Sequence, residues 1–374
     1  MMLSNVSLVA FHYKSYGTFC VYSKSPIIPQ WSYPLQKLYS YYNLGMTIKK
    51  HLSRRKRHQN SVYLNISVLV ISFAALIIFF SKLFFSGIIT HALDQGLDLS
   101  SASNYATSQT ATVSGTKANI YTKNGSSTSL PKDTELSIDA YYYKAKINEK
   151  EVTLAEFDIN GETYYIDTKD ISLQQTNAIN QYIAGTLTYS HNEITDSIEK
   201  SFEQSAYKTS DGKPRGIIIH DTGVDDSTIQ SEVNYMVQNY DEEGIFVHSF
   251  IDDATILRIA DENYEAQGAG AKANPYYIQF ELTHEDSQKG FAEQLANAAY
   301  YTAYMFKKYD LPVTLGQEDG EGTIWTHEMV SLYLGGTDHV DPTDYWTETA
   351  NDYFGTDYDV EDFVELVQAY YNAL

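Results

Sequence analysis

The sequence predicts an α/β domain with a mixed central sheet flanked by helices, preceded by a small all-β barrel and an N-terminal membrane helix. Three observations carry this. Charge changes abruptly: the chain holds 26 Lys plus Arg and 48 Asp plus Glu, for a net charge of −22, yet ten basic residues and no acid lie before residue 91. The rest of the chain is therefore near −32, a split that one compact domain rarely shows. A single apolar run, Ser61–Phe80, lies inside the basic part. Beyond residue 110, short alternating runs give way near residue 175 to strands interleaved with helical periods.

The membrane helix comes first. Twenty residues at 1.5 Å rise span about 30 Å, the depth of a bilayer's hydrocarbon core. Lys49, Lys50, Arg54, Arg55, Lys56 and Arg57 precede the run, and basic flanks stay cytoplasmic, which would put the acidic part outside. Residues 1–60 are read as a basic leader and 61–89 as a single-pass signal anchor. Thr90-His91-Ala92 offers small residues at a cleavage position, so secretion after cleavage near Ala92 stays open. Met46 opens a normal basic leader, and it is expected to be the start, with residues 1–45 an upstream extension.

Residues 90–110 are Ser, Thr and Ala-rich without period and are expected to be a linker. Residues 111–174 read as short strands rich in Tyr, Ile, Thr and Val, with turns at Asn124-Gly125 and Asn160-Gly161. The ending Gly161 to Ile166, Gly-x-x-Tyr-Tyr-Ile, resembles bacterial SH3-like domains, modules that often assist wall binding in cell-wall enzymes. A generic barrel without a ligand accounts for the same residues.

Residues 175–374 form the α/β part. Helices are expected at Asn177–Ile183, Asn192–Gln204, Thr228–Tyr240, Gly290–Tyr309 and after the cap Asp359. Strands are expected at Gly216–His220, Ile245–Ile251, Thr255–Ala260 and Tyr276–Thr283. Composition excludes several functions. The acidic part lacks the Lys and Arg that phosphate contacts need, so no nucleic-acid partner is expected. Cys20 is the only cysteine, which removes disulfides, Cys-rich zinc sites and a thiol nucleophile in the acidic part.

Four segments carry chemistry-bearing side chains. In Arg215–Gly223 three isoleucines lead into His220, an imidazole at the end of a buried strand; such a histidine alone is more often a satisfied core or surface residue than a ligand. In Tyr276–Leu282 a carboxylate, Glu281, interrupts an apolar strand. Burial would raise its pKa toward general-base values, although alternation favours Glu281 facing solvent with Gln279. The third segment, Trp325–Glu328, contains His327-Glu328, but Ser331 breaks a His-Glu-x-x-His motif. In Thr337–Trp346, His339 and Asp341 lie two apart before Pro342, which is also a common turn pattern.

The order of these segments, with Phe246–Glu262 and Asn274–Leu282 around them, resembles the zinc-dependent N-acetylmuramoyl-L-alanine amidases. That family is shared by phage lysozyme-type amidases and peptidoglycan recognition proteins, and the His-x-Asp-Pro ending is similar to pneumococcal-type autolysins. The resemblance implies zinc held by His220, His327 and Asp341, with Glu281 as proton carrier and His339 as oxyanion donor. Peptidoglycan would be the substrate of a monomeric enzyme facing outward from the cell membrane. Two departures stand out: Ala266–Gly270 lies where many relatives carry Trp-His-Ala-Gly, and Gln279 replaces a glycine. His248 resembles a structural position, while His284, His191 and His91 read as ordinary surface residues. A non-catalytic peptidoglycan-binding module and a zinc peptidase acting within the stem peptide are the competing readings.

Overall fold

The computed structural model describes residues 96–374. The leader, the 1–45 extension, the 61–89 segment and His91 lie outside the described residues. Among the described residues no helix is long and apolar enough to cross a membrane.

The N-terminal sheet is built from β1 (Leu97–Asp98), β2 (Ser103–Val113), β3 (Lys117–Tyr121), β4 (Ser127–Pro131), β5 (Glu135–Ile147), β6 (Lys150–Ile159), β7 (Glu162–Asp167) and β8 (Ile171–Leu173). Its order is β4-β3-β7-β6-β5-β2-β8, with β1 paired to β5, and the pairs are antiparallel. Alternation explains β5: Leu136, Ile138 and Ala140 are buried while Glu135, Ser137 and Asp139 are exposed, as a sheet with one wet face requires. Asn160 and Gly161 turn β6 into β7 with φ of 57° and 86°, the left-handed pair that Asn-Gly supplies in a two-residue hairpin.

Ser103–Thr110, expected as linker, is instead the first part of β2. Its residues are mostly exposed, so no apolar alternation marks it. Pairing with Ser137–Tyr143 of β5 supplies the order.

The second sheet contains β9 (Ile194–Asp196), β10 (Gly216–Asp221), β11 (Ser249–Ile251), β12 (Ile256–Arg258), β13 (Tyr277–Leu282) and β14 (Ile324–Thr326), in the order β14-β10-β13-β11-β12-β9. Strand β10 runs parallel to both β13 and β14, and β11–β12 is antiparallel, so the sheet is mixed. Ile217, Ile218 and Ile219 are wholly buried; a central parallel strand is covered on both faces and reads as one apolar run. Gly216 permits the close approach beside β14, since a Cβ there would stand 2.4 Å from the Thr323 carbonyl oxygen.

Six α-helices surround this sheet among the described residues: α1 (Ala178–Gly185), α2 (Ile229–Glu243), α3 (Gln288–Tyr309), the single turn α4 (His327–Met329), α5 (Thr343–Phe354) and α6 (Val360–Ala373). Helix α2 begins on a capping box between Thr228 and Ser231 and ends on Gly244 in the left-handed conformation. Helix α3 starts where the Ser287 hydroxyl accepts from the Gly290 N–H and stops at Asp310, with Lys307 and Lys308 in its last turn, where cations favour the helix dipole. Its small residues Ala292, Ala296, Ala299 and Ala303 are wholly buried and allow close packing.

No helix forms over Asn192–Gln204, contrary to the four-residue spacing of Ile194, Ile198 and Phe202. The Asn192 N–H donates to Asn297 Oδ1 at 2.8 Å, and Ile194–Asp196 pairs with β12. Ile198 is exposed, whereas Phe202 stacks on Phe246. Tertiary pairing overrode a weak local period. The two sheets share one apolar core through α3 and α6. At that junction the buried Tyr143 hydroxyl donates to Gln368 Oε1 at 2.8 Å, and Thr176 gives Glu365 two hydrogen bonds of 2.6 Å.

Candidate metal centre

Three side chains expected from the sequence meet at one end of the second sheet. Strand β10 delivers His220, β14 passes directly into His327, and Asp341 stands two residues before α5. Thr326 caps the His327 turn by accepting from the Met329 N–H, which ties the ring's backbone to a rigid strand end. Asp341 is anchored through its carbonyl, which accepts from the Glu328 N–H at 3.1 Å. Both imidazoles are buried at 2 % exposure.

The ligand-capable atoms form a tight triangle. The Nδ1 atoms of His220 and His327 are 3.0 Å apart. Asp341 places Oδ2 at 3.2 Å from the first and Oδ1 at 3.1 Å from the second. A tetrahedral ion with bonds of about 2.0–2.1 Å separates its ligands by about 3.3 Å. Two nitrogens and one carboxylate in that spacing match a three-ligand site with one position left over. His327 Nε2 is 2.9 Å from Thr337 Oγ1, the outer contact that orients a ligating ring. His220 Nε2 is buried without a hydrogen-bond partner. Burial lowers the His220 pKa despite the opposing pull of Asp341, favouring the neutral ring that a metal needs. Burial pushes the Asp341 carboxyl upward, but hydrogen bonds with His220 and His327 outweigh it and hold the group well below the usual range.

Glu281 is paired in register with His220 across β10 and β13, so the two side chains leave the sheet on the same face. The alternation favouring a solvent-facing Glu281 and Gln279 misleads here. Gln279 is wholly buried, and Glu281 Oε2 is buried with no hydrogen-bond partner. Burial first, and then the charges of Asp341, Asp221 and Glu232, raise the Glu281 pKa well above its ordinary value. His339 is largely exposed, with Nδ1 3.5 Å from Asp341 Oδ1 and its ring stacked at 4.5 Å on His327.

The departures have local accounts. Gln279 fills the space beside the Ala266–Gly270 loop: its Oε1 accepts from the Gly268 N–H at 2.9 Å, and its Nε2 donates to Asn274 Oδ1 at 3.1 Å. His248 uses both ring nitrogens internally, accepting from the Gln279 N–H and donating to the Tyr264 carbonyl. His191 stacks on Tyr300. His284, read as ordinary surface, instead lies at the rim of a cavity of about 700 Å³ that reaches Asp341 and His339. Its partners Asp221 and Asp225 are about sixty residues away, and no local spacing signals them.

Glu285, on the same rim, has its carboxyl pushed up to about 7, first by burial and then by Asp253. The folded chain therefore holds a proton that the unfolded chain releases near 4.5, and stability falls as pH rises from there through about 7. Glu285→Gln should remove that slope, so urea midpoints of variant and parent agree near pH 4 and the variant is the more stable at pH 8.

The two buried histidines and the half-buried Asp341, beside an unpartnered carboxylate and open to a cleft, form a cluster that could hold a metal ion. Residues 210–344 match the family model described as N-acetylmuramoyl-L-alanine amidase. Protein Ami of Listeria monocytogenes is 38% identical over 196 residues, covering 52% of this chain and 20% of its own length. The bifunctional autolysin of Staphylococcus aureus is 40% identical over 172 residues, covering 46% of this chain and 14% of its own. The crystal structure of the Staphylococcus aureus hydrolase AmiA in complex with its ligand is 36% identical, covers 53% of this chain and 92% of that one, and aligns with a TM-score of 0.48. The chain belongs to the N-acetylmuramoyl-L-alanine amidase family. It spans a fifth or less of the length of these curated relatives.

Proposed function

We propose that the chain is a zinc-dependent amidase that cleaves the bond between the lactyl group of N-acetylmuramic acid and L-alanine in peptidoglycan. The carrying observation is the triangle of His220, His327 and Asp341 on the same sheet end as Glu281. His220, His327 and Asp341 would hold the ion, whose chemistry when bound is to acidify a water and polarise the amide carbonyl. Glu281, half-buried with Oε2 shielded and without a competing hydrogen bond, takes the proton of the attacking water and passes it to the leaving nitrogen. His339 has Nδ1 turned to Asp341, so Nε2 is the nitrogen that can donate to the developing oxyanion. Thr337 holds the His327 ring in place, and the His339 ring stacks on it.

In the same reading, residues 61–89 anchor the chain in the cell membrane with the acidic part outside, and strands β1–β8 act as an SH3-like module beside a wall substrate. Mass spectrometry of sacculi digested with the full chain tests the activity. Intact stem peptides bearing free L-alanine amino termini support it; shorter peptide fragments would indicate a peptidase, and no release a binding module.

A further inference from the structure

The parallel pair β10–β13 carries His220 and Glu281 side by side, and its last ladder bond runs from the Thr222 N–H to the Leu282 carbonyl. Beyond that rung the chains part: one enters the Gly223–Ser227 loop toward α2 and the other turns toward α3. Parallel strands have no hairpin to close such an end, so a side-chain contact there can join the two chains.

One side chain does. His284 Nε2 lies 2.6 Å from Asp221 Oδ2, and Nδ1 lies 2.8 Å from Asp225 Oδ1. Carboxylate oxygens accept, so both ring nitrogens are placed to donate, the pattern that a cationic imidazole supplies. Asp221 Oδ2 also accepts from the Gly223 N–H at 2.9 Å, which folds the loop back onto the same oxygen. Below the ring, Tyr345 stacks in parallel at 4.2 Å with 1° between planes. Tyr345 is itself fixed, donating to Gln294 Oε1 at 2.7 Å and accepting from the Glu285 N–H at 3.0 Å. Burial opposes the charge on His284, but its hydrogen bonds to the two aspartates prevail and its pKa is raised.

We propose that His284 is a positioning residue for the amide hydrolysis: a cationic clamp joining the diverging ends of the strands that carry His220 and Glu281, and holding Asp221–Asp225 as a wall of the cleft. The inference rests on the activity proposed above. Charge and planarity are what the clamp needs, because it must donate to two carboxylates on opposite sides while lying flat on a phenol ring. Glutamine supplies one amide donor group and no charge; arginine supplies a planar cation with several donors.

The test compares the full-length parent with His284→Gln, His284→Arg and Asp225→Asn on a soluble N-acetylmuramoyl-L-alanine peptide. It records kcat, KM, bound zinc and hydrogen exchange of the Asp221–Ser227 amides. His284→Gln should lose about 10–100-fold in kcat with zinc still stoichiometric, the loss typical of a displaced catalytic geometry, and its loop amides should exchange faster. His284→Arg should recover most of both. Asp225→Asn alters a carboxylate that is 92% exposed, so the fold is safe and the loop should loosen in the same direction; this variant decides the matter if His284→Gln fails to fold. Parent-like kcat and exchange in His284→Gln or in Asp225→Asn would overturn the clamp, as would equal losses in the glutamine and arginine variants. A parent chain without amidase activity would instead overturn the functional reading, and the exchange data would still decide whether His284 holds the two strand ends.

Discussion

Glu281→Gln is expected to leave the chain folded and zinc-loaded while sacculus hydrolysis falls by about 10²–10⁴-fold, the usual contribution of a positioned proton carrier. The side chain keeps its size, so the in-register pair with His220 and the packing of β13 persist. What disappears is the group that takes up and returns the proton. The substitution also removes a charge crowded by burial and by Asp341, Asp221 and Glu232. A neutral amide is relieved of that repulsion, so the urea midpoint should not fall below the parent's. Hydrolysis at the parent rate, with bound zinc confirmed by metal analysis, would remove Glu281 from the mechanism.

Asp341→Ala is expected to have the other large effect, loss of metal together with activity. The aspartate is the only carboxylate in the triangle and holds both imidazoles through separate oxygens. Without it the site keeps two neutral nitrogens, too few ligands for a catalytic zinc site. Metal analysis after dialysis should find the parent stoichiometric and the variant near background. Added zinc should raise the parent's Tm, because a ligand bound only by the folded chain stabilises it by mass action, and leave the variant unmoved. Stoichiometric zinc in Asp341→Ala would break the assignment of the ligand set.

Much of the architecture could be read from residue pattern. The isoleucines before His220 announced a strand buried on both faces, and the Asn160-Gly161 turn appears with the left-handed φ values that the dipeptide favours. Asn177, Thr228 and Asp359 stand at helix starts as N-caps. Reading failed where tertiary partners outweighed local preference. Ser103–Thr110 has a linker's composition, yet β5 supplies it with a ladder. Gln279 and Glu281 looked like the wet side of an alternating strand, but the face of β13 that carries them is covered by the loop at Ala266–Gly270 and by the metal-centre side chains.

By itself, the sequence determined which residue types were available for chemistry: no cysteine in the acidic part, a histidine at a strand end, and His327, His339 and Asp341 downstream. It also determined the strands and caps that carry them, because these depend on neighbours within a few residues. Only the tertiary structure decided that His220, His327 and Asp341 share one triangle of about 3 Å edges and that Glu281, itself half-buried, has its Oε2 shielded from water. It alone showed His284 bridging two aspartates. Apart from the His327–Asp341 edge, those relations join residues 59 to 121 positions apart, and contacts at that separation are set by how strands register and helices pack, not by local spacing.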